Sequence, residues 1–500
     1  MSDNLPTSAP AEVRQEKWSR KGWFALPLIS LLLAALCLVH RSWPVPLPVI
    51  GGSFFIAIVA SALIRYYADH VEVEELAPST LERMLWAFCG LGLVGTQLVQ
   101  LVIEAPSQTG ITFLLIAPLS AMAMLASALV GPQVAMFALT IVAFLLGVTG
   151  PIPKEVLATA WISGSIAAHA VNPMRQRADL IRALSVTALA QALIAACATM
   201  LTVNTATPVL QSASWAAVSA VITSAIFWLG VTVLERMFGT ISDWSLLELC
   251  SPEHPLIREL CLRAPGTYAH SVMVANLAEQ AARAIGANPI HLRAMAYFHD
   301  VGKIERPTFF IENQLGENLH DDLPPTMSAR IITAHVPDGL ELARRHKLPK
   351  ILQDGIAQHH GTSLVSYFYH LARDMSGEEV PQGLDRLFRY EGPKPQNRET
   401  AILHLADQVE AASRTIANRE FDRMEAIVSR IIENSRSDGQ LDECDLTFRD
   451  LALVKQAFLH SLSAVRHSRI TYPTYDETPD SGAQRDELAD PAEARSDRPQ

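Results

Sequence analysis

Charged residues are scarce in this 500-residue chain: they make up 18% of it, whereas hydrophobic residues make up 49%. Soluble domains usually carry about 25% charged residues, so the shortage argues against a single water-soluble globule. The six cysteines form no C-x-x-C pair and no framework spacing, which argues against a disulfide scaffold and a zinc ribbon. Gly-rich phosphate loops and the three-glycine patterns of nucleotide-binding folds are also missing from the second half.

Basic residues are too few for a nonspecific nucleic-acid binder. Residues 1–240 hold 12 Lys and Arg and 12 Asp and Glu, whereas residues 241–500 hold 28 and 39 and account for the net charge of −11. Nonspecific affinity for DNA or RNA comes mainly from basic residues on phosphates. We therefore expect no nucleic acid polymer as a partner.

The first half of the chain consists of long apolar stretches. Most have the length that a helix needs to cross about 30 Å of hydrocarbon, and they lack the polar face of a soluble helix. The eight stretches are residues 23–40, 47–64, 84–103, 111–130, 133–150, 156–171, 183–201 and 214–234. This pattern predicts a polar N-terminal segment at 1–22 and a transmembrane region of about eight helices at 23–236. No signal-peptide cleavage site follows the first stretch.

Lys and Arg near the predicted spans indicate the topology. With eight spans, one side of the membrane collects Arg14, Lys17, Arg20, Lys21, Arg65, Arg83, Arg175, Arg177, Arg182 and Arg236. The other side collects only Arg41 and Lys154. Because cytoplasmic loops carry the excess of basic residues, we expect a multi-pass protein of the cell (inner) membrane with both termini in the cytoplasm.

The second half has the composition of a soluble helical domain. Helical periodicity recurs between residues 267 and 466, and no alternating strand pattern of useful length is present. The predicted fold class is therefore all-α, with a polytopic transmembrane helix bundle followed by an all-helical cytosolic domain at 241–470. Residues 471–500 have almost no apolar anchors, so we expect a disordered acidic tail.

Histidine and aspartate recur in close company in this second half. They are His270 in GTYAHS, His299 and Asp300 in FHDVGK, His335 in TAHV, His359 and His360 in QHHGT, and Asp407 in AILHLADQV. Such side chains are the expected ligands of Fe, Mn or Zn. A lone His270 would more often be a hydrogen-bonded core residue, but the adjacent pairs favour a metal site. Asp407 also favours a metal site, because an unpaired carboxylate on an apolar helix needs a cation nearby.

At these residues the sequence resembles the HD-domain metal-dependent phosphohydrolases, whose ligands follow the order H…HD…H…HH…D. Five longer strings are similar to one branch, the membrane-anchored cyclic-dinucleotide phosphodiesterases of the seven-transmembrane HD (PgpH-like) family. The strings are GTYAHSVMVANLAE, HDVGKIERPTFFIENQ, IITAHVPDGLELARRHKLP, QHHGT and GPKPQNRETAILHLADQVEAASR. They span about 255–415, and the membrane half resembles the family in architecture only. The lack of a GYP tripeptide after QHHGT favours cyclic di-AMP over cyclic di-GMP.

The resemblance implies a site for two divalent metal ions, iron or manganese. The first ion would be held by His270, His299, Asp300 and Asp407, and Asp300 would bridge to the second. The second would be held by His335 and His359, with His360 as a further ligand or a substrate contact. A water or hydroxide between the ions would then attack phosphorus in line.

Two cations follow the His-Asp pair closely and are the predicted phosphate-neutralising groups. They are Lys303, to which we also assign a catalytic role, and Arg306. The competing interpretation makes Lys303 a cation that balances the C-terminal end of a helix dipole.

The predicted function is that of an integral membrane metal-dependent phosphodiesterase that opens a cyclic dinucleotide, cyclic di-AMP being favoured, to the linear dinucleotide. Two alternatives stay open: an HD hydrolase of another nucleotide phosphate ester, and a nucleotide-binding membrane receptor that does not hydrolyse its ligand. The expected partners are the cyclic dinucleotide and the lipid bilayer. The sequence leaves homodimer formation open.

Overall fold

The structure is a computed structural model that describes residue 35 and most of residues 45–464. Its gaps are residues 72, 74, 75, 104–109, 151, 173, 175, 176, 204, 239, 315, 378–380 and 415–420. The predicted N-terminal segment, most of the first predicted span, and the acidic tail therefore lie outside the described residues. Within the described residues the chain is helical and contains no β-strand, so the all-α prediction is confirmed.

The first half of the described chain contains seven long helices. They are α1 (Leu47–His70), α2 (Pro78–Val102), α3 (Ile116–Leu129), α4 (Pro132–Thr149), α5 (Lys154–Ala170), α6 (Arg177–Met200) and α7 (Ala206–Phe238). Proline occupies the first turn of α1, α2 and α4, where its missing N–H would have no intrahelical partner. Each helix coincides with one predicted apolar stretch, from the second stretch to the eighth.

Six of these helices are long and apolar enough to cross a membrane, among the residues that the structure describes, when α3 is taken together with the 3₁₀ segment Ile111–Leu115 that leads into it. The exception is α5, which has 17 residues. Helix α3 lies at the centre, packed by α2, α4, α5 and α7, and nearly all of its side chains are buried. Among the described residues, three hydrogen bonds join it to other helices: from Ser127 Oγ to the Ala168 carbonyl (2.6 Å), from Gln191 Nε2 to Ser120 Oγ (3.1 Å) and from Thr223 Oγ1 to the Ala117 carbonyl (3.3 Å).

The second half forms a separate helical domain with its own apolar core. Its helices are α8 (Asp243–Leu249), α9 (Pro255–Arg263), α10 (Pro265–Ile285), α11 (Pro289–Phe298), α12 (Pro325–Thr333), α13 (His335–Arg345), α14 (Lys350–Gln358), α15 (Ser366–Ser376), α16 (Arg398–Ser413), α17 (Phe421–Ser437) and α18 (Phe448–Ala464). Short 3₁₀ segments follow α11 at Val301–Glu305, Pro307–Phe309 and Ile311–Asn313. Helix α10 packs against α11, α16 and α18, and this packing brings distant parts of the sequence together.

A buried carboxylate joins the last membrane helix to the second domain. Glu235, near the end of α7, accepts hydrogen bonds from the backbone N–H of Ser242 (2.8 Å) and from Ser245 Oγ (2.9 Å). Asp243, the first residue of α8, in turn accepts a hydrogen bond from Asn288 Nδ2 (3.3 Å). Asn288 caps α11. A short chain of polar contacts therefore runs from the membrane region to the helix that leads into the His299-Asp300 pair.

Candidate metal centre

Five helices of the second domain bring seven His and Asp side chains together. They are His270 in α10, His299 and Asp300 directly after α11, His335 at the start of α13, His359 and His360 directly after α14, and Asp407 in α16. All seven residues that the sequence predicts to be metal ligands therefore lie close together. They form two groups, and within each group one donor atom per residue lies within 4.8 Å of the others. The groups are His270, His299 and Asp407, and Asp300, His335, His359 and His360.

Asp300 lies between the two groups and turns one oxygen toward each. Its Oδ1 is 3.4 Å from His335 Nε2 and 3.6 Å from His359 Nε2. Its Oδ2 is 3.2 Å from His299 Nε2 and 3.6 Å from His270 Nε2. A carboxylate placed in this way can bridge two cations.

Three of the histidines are oriented by their own backbone. The Nδ1 atoms of His299, His335 and His359 each donate a hydrogen bond to the carbonyl oxygen three residues earlier, over 2.8, 2.6 and 2.8 Å. In the neutral imidazole, Nδ1 then carries the proton and the Nε2 lone pair is left to act as a ligand. All three Nε2 atoms face Asp300.

His270 is oriented by a carboxylate that the sequence analysis missed. Its Nδ1 lies 2.5 Å from Glu410 Oε2, and Glu410 is held from its other side by Arg414 Nε at 2.8 Å. His270 Nε2 lies 2.9 Å from Asp407 Oδ1. Metal-ligating histidines commonly donate their second N–H to a carboxylate in this way. The signal was available, because Glu410 follows Asp407 by three residues and shares its helix face.

Several buried polar atoms of the cluster lack a hydrogen bond. Among the described residues, His299 Nε2 and Asp300 Oδ1 have no hydrogen-bond partner, although Asp300 is only 1% exposed. Asp300 Oδ2 is ion-paired with Lys303 Nζ at 2.7 Å. Leaving buried polar atoms unpaired costs free energy, and for a charge the cost is large. Imidazole nitrogens and carboxylate oxygens are the donors that divalent transition metals take. The residues therefore fit metal ions, and the cluster is able to bind them.

The electrostatics favour the ligand forms at the second group. Burial by itself raises the pKa of Asp300, but the charges of His299 and Lys303 outweigh it and hold this pKa well below its usual range. Burial lowers the pKa of His335 to about 3, and it also lowers that of His360. These histidines are therefore neutral at neutral pH, as metal ligation requires.

The pKa of His299 is shifted in the opposite direction from those of His335 and His360. Burial alone lowers its pKa, but the adjacent Asp300 carboxylate raises it to about 10. A metal ion that binds Nε2 must therefore displace a proton.

The two predicted phosphate-binding cations occupy different places. Lys303 Nζ lies 2.7 Å from Asp300 Oδ2, inside the cluster, and 2.9 Å from Glu312 Oε1. Arg306, whose side chain is 41% exposed, is paired with Asp338 at 3.1 Å. The structure therefore places Lys303 beside the bridging carboxylate and gives Arg306 a carboxylate partner outside the cluster.

Two further residues support the centre from close by. The Tyr390 ring stacks on His360, with centroids 4.2 Å apart and an angle of 25°. His404 Nδ1 donates a hydrogen bond to the His359 carbonyl (2.8 Å), and its Nε2 accepts one from Ser435 Oγ (3.2 Å). His404 is therefore a hydrogen-bonded core residue. The sequence analysis missed Tyr390, for which no motif gave a signal.

A glycine allows the second group to form. A Cβ on Gly302 would lie 1.9 Å from the carbonyl oxygen of His335, so only glycine fits between the 3₁₀ segment after Asp300 and the first turn of α13. Gly302 therefore lets the segment that follows Asp300 pack directly on the backbone of His335.

Comparison with known proteins gives matches in both halves. The family model described as "7TM receptor with intracellular HD hydrolase" matches residues 47–242, and the HD domain model matches residues 267–412. All seven residues of the cluster fall within the second match.

Curated relatives match over about half of the chain. The cyclic-di-AMP phosphodiesterase PgpH of Bacillus subtilis (strain 168) is 48% identical over 240 residues, which are 48% of this chain and 33% of that protein. The protein of the same name from Listeria monocytogenes serotype 1/2a (strain 10403S) is 41% identical over 251 residues, 49% of this chain and 34% of that protein. The chain thus spans about a third of the length of these relatives.

A solved structure also matches. The crystal structure of the L. monocytogenes phosphodiesterase PgpH HD domain is 41% identical, covers 43% of this chain and 100% of its own, and superposes with a TM-score of 0.41.

Proposed function

Because this chain belongs to the family of membrane proteins in which a 7TM receptor region precedes an intracellular HD hydrolase domain, we propose that it is a metal-dependent phosphodiesterase of a cyclic dinucleotide. The proposed substrate is cyclic di-AMP, since two relatives at 48% and 41% identity are named as phosphodiesterases of that molecule. The observation that carries the proposal is that Asp300 turns one carboxylate oxygen toward His335 and His359 and the other toward His299 and His270. The proposed product is the linear dinucleotide.

The proposal assigns one divalent ion, iron or manganese, to each group of side chains. His270, His299 and Asp407 would hold the first ion, His335 and His359 would hold the second, and Asp300 would be shared. Two such ions, when bound, lower the pKa of a water molecule and stabilise the charge that develops on phosphorus during in-line attack. The protein needs no Ser or Cys nucleophile for this chemistry.

The side chains themselves orient the substrate and exclude water. His360 is the most exposed member of the cluster, with 20% of its side chain accessible, whereas His299, His335 and His359 are buried. The substrate phosphate therefore approaches from the His360 side, where Tyr390 holds the imidazole by stacking. Lys303, beside Asp300, adds positive charge close to the reacting phosphate.

The chain is a multi-pass membrane protein, and we place residues 23–236 in the membrane and the HD domain, residues 241–470, in the cytoplasm. A cavity of about 910 Å³ lies between the two parts and is lined by the α1–α2, α3–α4 and α5–α6 loops together with the start of the HD domain. These loops therefore share one membrane side with the HD domain. Arg65, Arg83 and Arg236 lie near that side, whereas Lys154 begins α5 at the opposite end. The excess of basic residues supports a cytoplasmic assignment for both termini.

A direct assay tests the proposed function. The full chain is purified in detergent without oxygen, loaded with Mn²⁺ or Fe²⁺, and incubated with cyclic di-AMP, cyclic di-GMP or a guanosine alarmone. Chromatography is expected to show linear dinucleotide from cyclic di-AMP. A metal-loaded chain that converts none of the three compounds would overturn the proposal, and conversion of the alarmone alone would reassign the substrate.

A further inference from the structure

Lys303 is shared between two carboxylates. Its Nζ lies 2.7 Å from Asp300 Oδ2 and 2.9 Å from Glu312 Oε1, and the side chains of Lys303 and Glu312 are only 13% and 12% exposed. The ring of Phe310 covers a further side of the ammonium group, with its centre 4.9 Å from Nζ. The Lys303 ammonium group is therefore ion-paired with two carboxylates at once. The proposed function makes one of them, Asp300, a metal ligand, and it gives the other, Glu312, no role.

Glu312 is fixed in place by the first turn of α10. Its Oε1 accepts a hydrogen bond from Thr267 Oγ1 (3.0 Å). The next residue, Asn313, accepts hydrogen bonds through Oδ1 from the backbone N–H groups of Gly266 (2.9 Å) and Thr267 (3.2 Å). Asn313 also donates to Thr267 Oγ1 from Nδ2 (2.8 Å).

The fit between the two segments is as close as glycine permits. A Cβ on Gly266 would lie 1.8 Å from the carbonyl oxygen of Glu312, so the Ile311–Asn313 segment rests directly on the backbone of α10. His270 lies one helical turn further along α10. Glu312 therefore connects the segment that carries Asp300 and Lys303 with the helix that carries His270.

We propose that Glu312 is a positioning residue of the metal centre. Of the two ion pairs that the Lys303 ammonium group makes, Glu312 supplies one, so that the carboxylate of Asp300 stays available to metal ions. The inference rests on the proposed function, because it treats the cluster as a metal centre. It adds a residue to that centre which binds no ion itself.

The physical reason is competition between cations for one carboxylate. Without the charge of Glu312, the buried Lys303 would have Asp300 as its closest remaining anion, and charges at this distance attract strongly in a low-dielectric interior. The ammonium group and a metal ion would then compete for the same oxygen. Glutamine is a near-isosteric replacement at position 312, because its Oε1 can still accept from Thr267 and Lys303. Glu312→Gln therefore changes the charge and keeps the hydrogen bonds.

Mn²⁺ binding by the full chain in detergent measures this effect without relying on catalysis. Free Mn²⁺ is followed by electron paramagnetic resonance during titration of the chelator-treated protein. Glu312→Gln is expected to weaken binding by about 10–100-fold, as changes beside metal ligands typically do. The matched control is Glu305→Gln, which removes the same charge at an exposed position and is expected to bind as the wild type does. Circular dichroism verifies that both variants keep their helices.

A double variant separates charge balance from mere structural support. Removing the competing cation with Lys303→Met in the Glu312→Gln background is expected to restore Mn²⁺ affinity toward the wild-type value. Wild-type affinity in Glu312→Gln alone, or a loss that the double variant fails to recover, overturns the inference. A wild-type chain that binds Mn²⁺ but does not hydrolyse cyclic di-AMP refutes the proposed function and leaves this test decisive. A wild-type chain that binds no Mn²⁺ refutes both.

Discussion

Glu410 Oε2 lies 2.5 Å from His270 Nδ1, although the two residues are 140 positions apart in the sequence. The contact joins α10 to α16 and sets the tautomer of His270, so that Nε2 faces Asp407. One buried carboxylate thus orients His270, a proposed ligand of the first group, without being a proposed ligand itself.

Replacement of Glu410 by alanine is expected to weaken the first group. His270 would lose the acceptor that fixes its ring, and metal affinity is expected to fall by about 10–100-fold. Titration with Mn²⁺ measures the loss. Glu259→Ala, which removes an exposed carboxylate paired with Arg263 on α9, is the control and should bind Mn²⁺ normally. Equal affinity in the two variants would show that Glu410 does not orient the centre.

Removal of the shared carboxylate is expected to abolish activity. In Asp300→Ala neither group retains its common ligand, and hydrolysis of cyclic di-AMP should fall by several orders of magnitude, because both ions are needed for in-line attack. The helical circular dichroism spectrum should be preserved, since the apolar core of the domain is untouched. Asp354→Ala, on the helix that precedes His359, is the control and should remain active. Wild-type turnover by Asp300→Ala would contradict the two-ion assignment.

The Gly302→Ala variant is expected to lose stability. Its new Cβ would lie 1.9 Å from the His335 carbonyl oxygen, so α13 must move, at a cost on the order of 1–3 kcal/mol or more. Thermal unfolding of the metal-free chain measures the change. At Gly316 a Cβ would meet no atom within 4 Å, so Gly316→Ala should unfold at the wild-type temperature. Similar unfolding temperatures for the two variants would mean that the close approach is not required.

The junction between membrane and HD domain depends on Glu235. Without its carboxylate the Ser242 N–H and Ser245 hydroxyl lose their acceptor, and local opening of α8 should become easier by about 1–3 kcal/mol. Hydrogen exchange of the amides at Ser242 and Ser245 in Glu235→Ala measures this opening. Glu248→Ala, at an exposed position of the same helix, should leave exchange at both serines unchanged. Unaltered exchange in Glu235→Ala would argue against a fixed joint.

The sequence was most informative where a pattern is local. Long apolar runs predicted helices such as α1 and α7, but α7 extends to Ala206–Phe238, beyond the predicted 214–234, because its ends carry polar residues that interrupt an apolar run. The adjacent pairs His299-Asp300 and His359-His360 pointed to a metal site because metal chemistry limits which side chains can serve as ligands.

Residues that act through another side chain left no such pattern. Glu312 and Tyr390 are common residue types whose importance comes from contacts with Lys303 and His360, and folding alone creates these contacts. For Arg306, by contrast, the sequence suggested a role that the structure does not support. Its position near Asp300 suggested a phosphate contact, whereas the structure pairs it with Asp338, a partner that sequence spacing does not reveal.

The backbone hydrogen bonds of His299, His335 and His359 have a consequence for how the centre gains and loses ions. Each imidazole is held by a carbonyl of its own helical turn, so its rotational entropy is lost when the domain folds rather than when an ion binds. A metal ion would therefore meet imidazoles that are already oriented for ligation. Binding or losing such an ion would require no refolding of the helices that carry these side chains.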